Sequence, residues 1–146
     1  MGAPDPGDAL LDSRRRQDAV SALGFDWPDI GGVLDKVAEE LEEVREALRE
    51  GEREKAAEEL GDLLLASVNL SRFLNADPAR RLADATDRLC ARVEQARVLA
   101  ESRGKDLRSC TPEELDQLWR EVKSRGGKGL KNVLDIGGAD DANSVF

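Results

Sequence analysis

The run LDKVAEELEEVREALREGEREKAAEELGDLLLASVNL, residues 34–70, decides the fold. Its first half repeats apolar side chains at Leu34, Val37, Leu41, Val44 and Leu48. That 3-4-3-4 spacing is one face of an amphipathic helix. Its second half sets Ala56, Leu60, Leu63, Leu64 and Leu70 on another such face. The two halves meet at Gly51, where only a residue or two can be non-helical, and so short a connection makes the helices antiparallel neighbours. The spacing predicts helices over 30–50 and 52–73, and no stretch of the chain alternates in the manner of a strand. The expected fold class is all-α, a helical bundle of about four to five helices.

Working outward, a helix over 9–23 ends at Gly24, and Phe25-Asp26-Trp27-Pro28-Asp29 reads as a turn carrying two large aromatic rings. Asn75-Ala76-Asp77-Pro78 is a second break, with Asp77 placed to cap a new helix and Pro78 in its first turn. That helix, 78–102, carries Leu82, Ala85, Leu89, Val93 and Ala96 on its inner face. Thr111 and Glu114 form a capping box with Pro112 at the first helical position. The last helix then carries Leu115, Leu118, Trp119 and Val122 to about residue 124. The expected organisation is a flexible N-terminus over 1–10, one helical domain over 11–125 and a flexible Gly-rich tail over 126–146.

Composition narrows the chemistry. The chain has 146 residues, no histidine, no tyrosine and two cysteines. Without histidine there is no Ser-His-Asp or Cys-His hydrolase and no histidine-ligated zinc. Carboxylates, a metal ion, lysine or arginine must carry any reaction. A net charge of −9 argues against a general nucleic-acid binder. No apolar run approaches the roughly 18 residues that a membrane span needs, and the first residues do not read as a signal peptide. The expected location is cytoplasmic. Charge is also uneven: residues 33–73 hold 12 acids and 6 bases, whereas residues 78–131 hold 9 acids and 13 bases. An acidic segment followed by a basic one suits a cation and an anion held together, and equally suits ordinary surface variation.

The acids have a pattern. Glu40 and Glu43 are three residues apart, as are Glu59 and Asp62. At 100° per residue each pair spans only about 60° of helix surface. Lys36 shares the flank of Glu40 and Glu43. Glu43 lies eight residues before Gly51 and Glu59 eight after; Glu40 lies eleven before and Asp62 eleven after. Residues equidistant from an antiparallel turn sit at one height, so Glu43 faces Glu59 and Glu40 faces Asp62. Four like charges beside an apolar seam repel strongly unless a cation neutralises them. Oxygen-only donors favour Mg²⁺, with Mn²⁺ as a substitute. Helices that also carry Glu39, Glu42, Glu46, Glu54 and Glu58 offer such pairs by composition alone, so a solvated acidic face stands beside the metal reading.

Three runs together resemble the second catalytic domain of the MazG-type nucleoside triphosphate pyrophosphohydrolases: residues 24–29 (GFDWPD), 36–48 (KVAEELEEVREAL) and 58–74 (EELGDLLLASVNLSRFL). The EExxE and ExxD signature falls on Glu39, Glu40 and Glu43 with Glu59 and Asp62, and residues 111–119 resemble the family's last helix. The resemblance covers about residues 11–123. It implies an all-α fold completed by dimerisation, as a homodimer or higher homo-oligomer. It implies Mg²⁺-dependent cleavage of a nucleoside triphosphate to the monophosphate and pyrophosphate, in the service of nucleotide-pool house-cleaning. It implies that Glu40, Glu43, Glu59 and Asp62 hold metal and that Glu39 assists as base or outer partner. Lys36, Arg88, Arg92, Trp119 and Lys123 then surround the nucleotide.

The residue chemistry is compatible. Arg88 and Arg92 are i,i+4, so both can grip phosphate from one side, and Trp119 with Lys123 repeats that spacing. The chain departs from the family on the fourth helix, where a Lys-Phe-x-Arg-Arg-Phe stretch is replaced by Arg88-Leu89-Cys90-Ala91-Arg92-Val93 and a later glutamate by Arg97. That leaves the base preference open. The rival readings are a relative specific for dUTP or phosphoribosyl-ATP, and a helical interaction module without catalysis. Cys90 beside Leu89 is expected to serve packing.

Overall fold

The computed structural model describes residues 9–126, and the tail expectations for 1–8 and 127–146 lie outside them. The described residues form five α-helices: α1 (Ala9–Ala22), α2 (Ile30–Arg49), α3 (Arg53–Phe73), α4 (Pro78–Ser102) and α5 (Pro112–Arg125). A single 3-10 turn, Leu107–Ser109, joins the last two, and no strand occurs among the described residues. The all-α fold class read from the sequence is the observed one. No described helix is long and apolar enough to cross a membrane. The helices fall into two compact units, one up to Arg81 and one from Leu82.

In the first unit α2 packs along α3, and α1 rests on α3. Gly51, at φ +78°, closes the hairpin. Glu52 N–H donates to the Ala47 carbonyl at 2.9 Å and Gly51 N–H to that of Leu48 at 3.2 Å, which satisfies the last carbonyls of α2. A side chain at Gly51 would be strained by that left-handed backbone. Asn75, at φ +49°, ends α3 through the same pair of bonds, Ala76 to Ser71 and Asn75 to Arg72.

The line that α2 buries differs from the expected stripe. Val33, Glu40 and Ala47 are buried and Val37 and Val44 half-buried, whereas Leu34, Leu41 and Leu48 stand 48%, 40% and 54% exposed. The leucines lie about 100° round the helix from the buried line, because each is one residue further along. On α3 the buried residues are Ala56, Ala66, Val68 and Ser71, while Leu60 and Leu64 are exposed. Small and β-branched side chains let the two backbones approach, and the larger leucines are left outside.

In the second unit Ala96 and Ala100 of α4 pack against Leu118 and Val122 of α5, with Leu99, Leu107 and Cys110 at the margin. The capping box is present: Glu114 N–H donates to Thr111 Oγ1 at 3.2 Å, and Thr111 N–H to the Glu114 carboxylate at 3.0 Å. Arg103 pairs with Glu121 at 2.7 and 2.8 Å, and Lys105 with Glu114. Leu82 and Val93, expected inside, are exposed, and Arg92 is buried instead. Cys90 is exposed too, which corrects its expected packing role.

Candidate functional site

Glu40 sits on the buried line of α2, between Val37 and Val44, and is only 4% exposed. Its Oε1 accepts from Lys36 Nζ at 2.5 Å. Its Oε2 is buried and has no hydrogen-bond partner. Lys36 reaches Glu39 Oε1 at 2.8 Å as well, so one ammonium serves two carboxylates, and both hold its pKa above the ordinary lysine value. Glu43, one turn on, and Glu59 of α3 are half-buried. Glu40, Glu43 and Glu59 each bring an oxygen within 4.8 Å of the others.

Burial pushes the Glu43 carboxyl above its ordinary value, and the Glu59 carboxylate in contact with it and the nearby Glu40 charge add to the effect. An uncompensated buried oxygen beside two further carboxylates is costly. The donor set is all oxygen, and the unpartnered Glu40 Oε2 supplies a ready lone pair. These residues fit a hard divalent cation.

The structure therefore brings together three of the four expected carboxylates. The equal height of Glu43 and Glu59 about Gly51 is realised. Asp62 stands exposed outside the cluster, and Glu39 is exposed on Lys36. Lys36, expected near the nucleotide, is tied to Glu39 and Glu40. The burial of Glu40 was not legible from its spacing, because the apolar stripe placed it on a flank.

The basic and aromatic residues belong to the second unit. Arg92 is 3% exposed, and its guanidinium lies 5.8 Å from the ring centre of Trp119. This is cation–π range. Trp119 is half-buried and lines a cavity of about 390 Å³ with Val93, Leu107, Leu115 and Asp116. Arg88, one turn before Arg92, is half-buried with Nε buried and unbonded. Lys123, one turn after Trp119, is half-buried.

Residues 32–97 match the MazG nucleotide pyrophosphohydrolase domain. This part of the chain belongs to the MazG family. The match takes in the carboxylate cluster together with Arg88 and Arg92. The chain is 44% identical over 119 residues to the nucleoside triphosphate pyrophosphohydrolase/pyrophosphatase MazG of Thermotoga maritima, covering 82% of this chain and 45% of that protein. It is 33% identical over 117 residues to a nucleoside triphosphate pyrophosphohydrolase of Escherichia coli K12, covering 79% of this chain and 44% of that protein. The chain thus spans less than half the length of these two relatives. An uncharacterized Bacillus subtilis protein, YabN, is 34% identical over 65 residues.

Proposed function

We propose that this MazG chain hydrolyses nucleoside triphosphates to monophosphate and pyrophosphate with Mg²⁺, clearing unwanted triphosphates from the cytoplasm. The observation that carries the reading is the buried Glu40, with one oxygen unpartnered beside Glu43 and Glu59. Glu40, Glu43 and Glu59 hold the cation, and Asp62, one turn after Glu59, is the fourth carboxylate. Held there, the ion would offset phosphate charge and make the phosphorus that water attacks more electrophilic. Lys36 holds Glu40 in place through its 2.5 Å ion pair. Glu39, the other partner of Lys36, is exposed and assists as base or as outer partner of the site. Arg88, Arg92, Trp119 and Lys123, in the other unit, are by their chemistry the groups suited to phosphate oxygens and to the face of a base.

A second copy of the chain is part of the proposal. Leu34, Leu41 and Leu48 recur every seven residues on one exposed line of α2, and Leu60 and Leu64 are exposed on α3. A heptad line of exposed leucines is the seam along which helices associate.

The test is pyrophosphate release from a panel of canonical and modified nucleoside triphosphates with Mg²⁺, comparing the native chain with Glu59→Gln. Release by the native chain, reduced at least about a hundred-fold in the variant, is the expected result. No release from any triphosphate by the folded, associated chain overturns the proposal and leaves the interaction-module reading.

A further inference from the structure

The hairpin has two ends, and the end away from Gly51 is closed by an ion-pair brace. Arg72, near the C-terminus of α3, is 11% exposed in its side chain. Its Nε donates to Asp18 Oδ1 of α1 at 2.9 Å. Its Nη2 and Nη1 donate to the two oxygens of Asp26 at 2.9 and 3.3 Å, and Nη1 also to Asn69 Oδ1 at 2.6 Å. Asp26 further accepts from Ser21 Oγ at 2.5 Å and from Trp27 N–H at 2.9 Å.

The next link is steric. The Trp27 ring lies on Gly32, in the first turn of α2, so closely that a Cβ there would meet ring carbon Cε3 at 2.6 Å. Asp29 caps the same turn, accepting from Gly31 N–H at 2.8 Å and Gly32 N–H at 3.4 Å. The chain of contact therefore runs from Arg72 on α3, through Asp26 and Trp27, to the N-terminus of α2.

We propose that Arg72 and Asp26 are positioning residues, whose ion pair fixes the tilt of α2 on α3 and so the spacing of Glu40 and Glu43 from Glu59. The proposal rests on the carboxylate-site reading above. Glu43 and Glu59 lie eight residues from Gly51, or about 12 Å along either helix. If the far end loosens and the helices open by about 5° about the turn, the carboxylates separate by about 1 Å, whereas metal–oxygen distances tolerate about 0.2 Å. The bidentate Arg72–Asp26 geometry adds direction that a lone charge would not.

The experiment measures Mn²⁺ binding to the full chain by electron paramagnetic resonance, at a temperature where circular dichroism shows each variant folded. Arg72→Met, Asp26→Asn and Gly32→Ala are compared with Val122→Ala, a core substitution in the other unit. Affinity about ten-fold weaker in the first three, and unchanged in Val122→Ala at a comparable loss of melting temperature, is the expected result. Should Arg72→Met fold poorly, Asp26→Asn and Gly32→Ala carry the comparison. Variants that melt earlier yet bind Mn²⁺ as the native chain does overturn the positioning role and leave a merely structural one. No Mn²⁺ binding by the native chain overturns the carboxylate site itself, and the brace proposal with it.

Discussion

The α2–α3 hairpin and the α4–α5 unit solve the same packing problem in opposite ways. The hairpin buries small side chains and a glutamate and leaves six leucines in solvent. The α4–α5 unit buries a short apolar cluster and ties its acids to the surface: Glu121 to Arg103 and Arg125, Glu114 to Lys105, and Glu94 to Arg97. Those partners hold all three carboxyls below the ordinary glutamate value, whereas Glu43 in the hairpin is pushed above it. An acid raised by burial and by other acids is destabilising where it stands. An exposed apolar row and a buried polar group are the informative deviations in any fold. The hairpin shows both, whereas the buried polar group of the α4–α5 unit is a cation, Arg92, beside the Trp119 ring; the proposed cation site and the proposed seam between copies therefore both fall on the hairpin.

The largest expected effect breaks the contrast from the outside. Leu41 is the middle leucine of the α2 row, 40% exposed. A charge there costs little in a single chain and is severe in a dry seam between copies. Leu41→Glu should convert an associated species to monomer in sedimentation velocity at micromolar concentration, with the helical circular dichroism retained. A native chain that is already monomeric, or a variant that associates equally well, removes the leucine row from the argument.

Much of this molecule was legible in the sequence, for identifiable reasons. Helix ends follow local chemistry, so Gly51, Asp77 and the Thr111–Glu114 box placed them well: Arg80 N–H does donate to Asp77 Oδ1, at 3.0 Å. The equal distance of Glu43 and Glu59 from a tight turn is arithmetic, and it holds. What was not legible is which part of an apolar stripe turns inward. Periodicity marks an apolar face about 100° wide, and on α2 a rotation of one residue exchanges Leu41 for Glu40. Only the approach of α3 decides between them. The Arg72–Asp26 pair joins residues 46 apart in sequence, and no local pattern announces such a contact.

The second prediction tests the α4–α5 side. Leu118 is 6% exposed and packs with Ala96, Ala100 and Val122. Leu118→Ala should lower stability by about 2–5 kcal/mol in urea unfolding. The same truncation at exposed Leu48 should change stability little in the monomer. Equal losses at both positions would mean that the leucine row is part of a core after all.

The smallest effect is the most diagnostic of the site, and its sign is fixed by the raised Glu43 carboxyl. A folded-state pKa above the ordinary 4.5 means that the folded chain holds this proton more tightly than the unfolded chain does. As pH falls through the folded value toward 4.5, the folded form gains a proton that the unfolded form lacks, and stability rises. Glu94, Glu114 and Glu121 run the other way, because their stabilising pairs are lost as pH falls below 4.5 through their lowered values. Without divalent cation, the melting temperature should therefore climb on acidification to about pH 4.5 and turn down below it. The net charge of −9 pushes in the same direction above the turn, so Glu43→Gln is the reference: it should flatten the climb without removing the fall. Mn²⁺ should reverse the climb, because cation and proton compete for the same oxygens and the stabilisation by the ion shrinks as pH falls. A native profile that matches Glu43→Gln with and without Mn²⁺ would mean that Glu43 is an ordinary surface acid and that the contrast between the two units does not extend to their carboxylates.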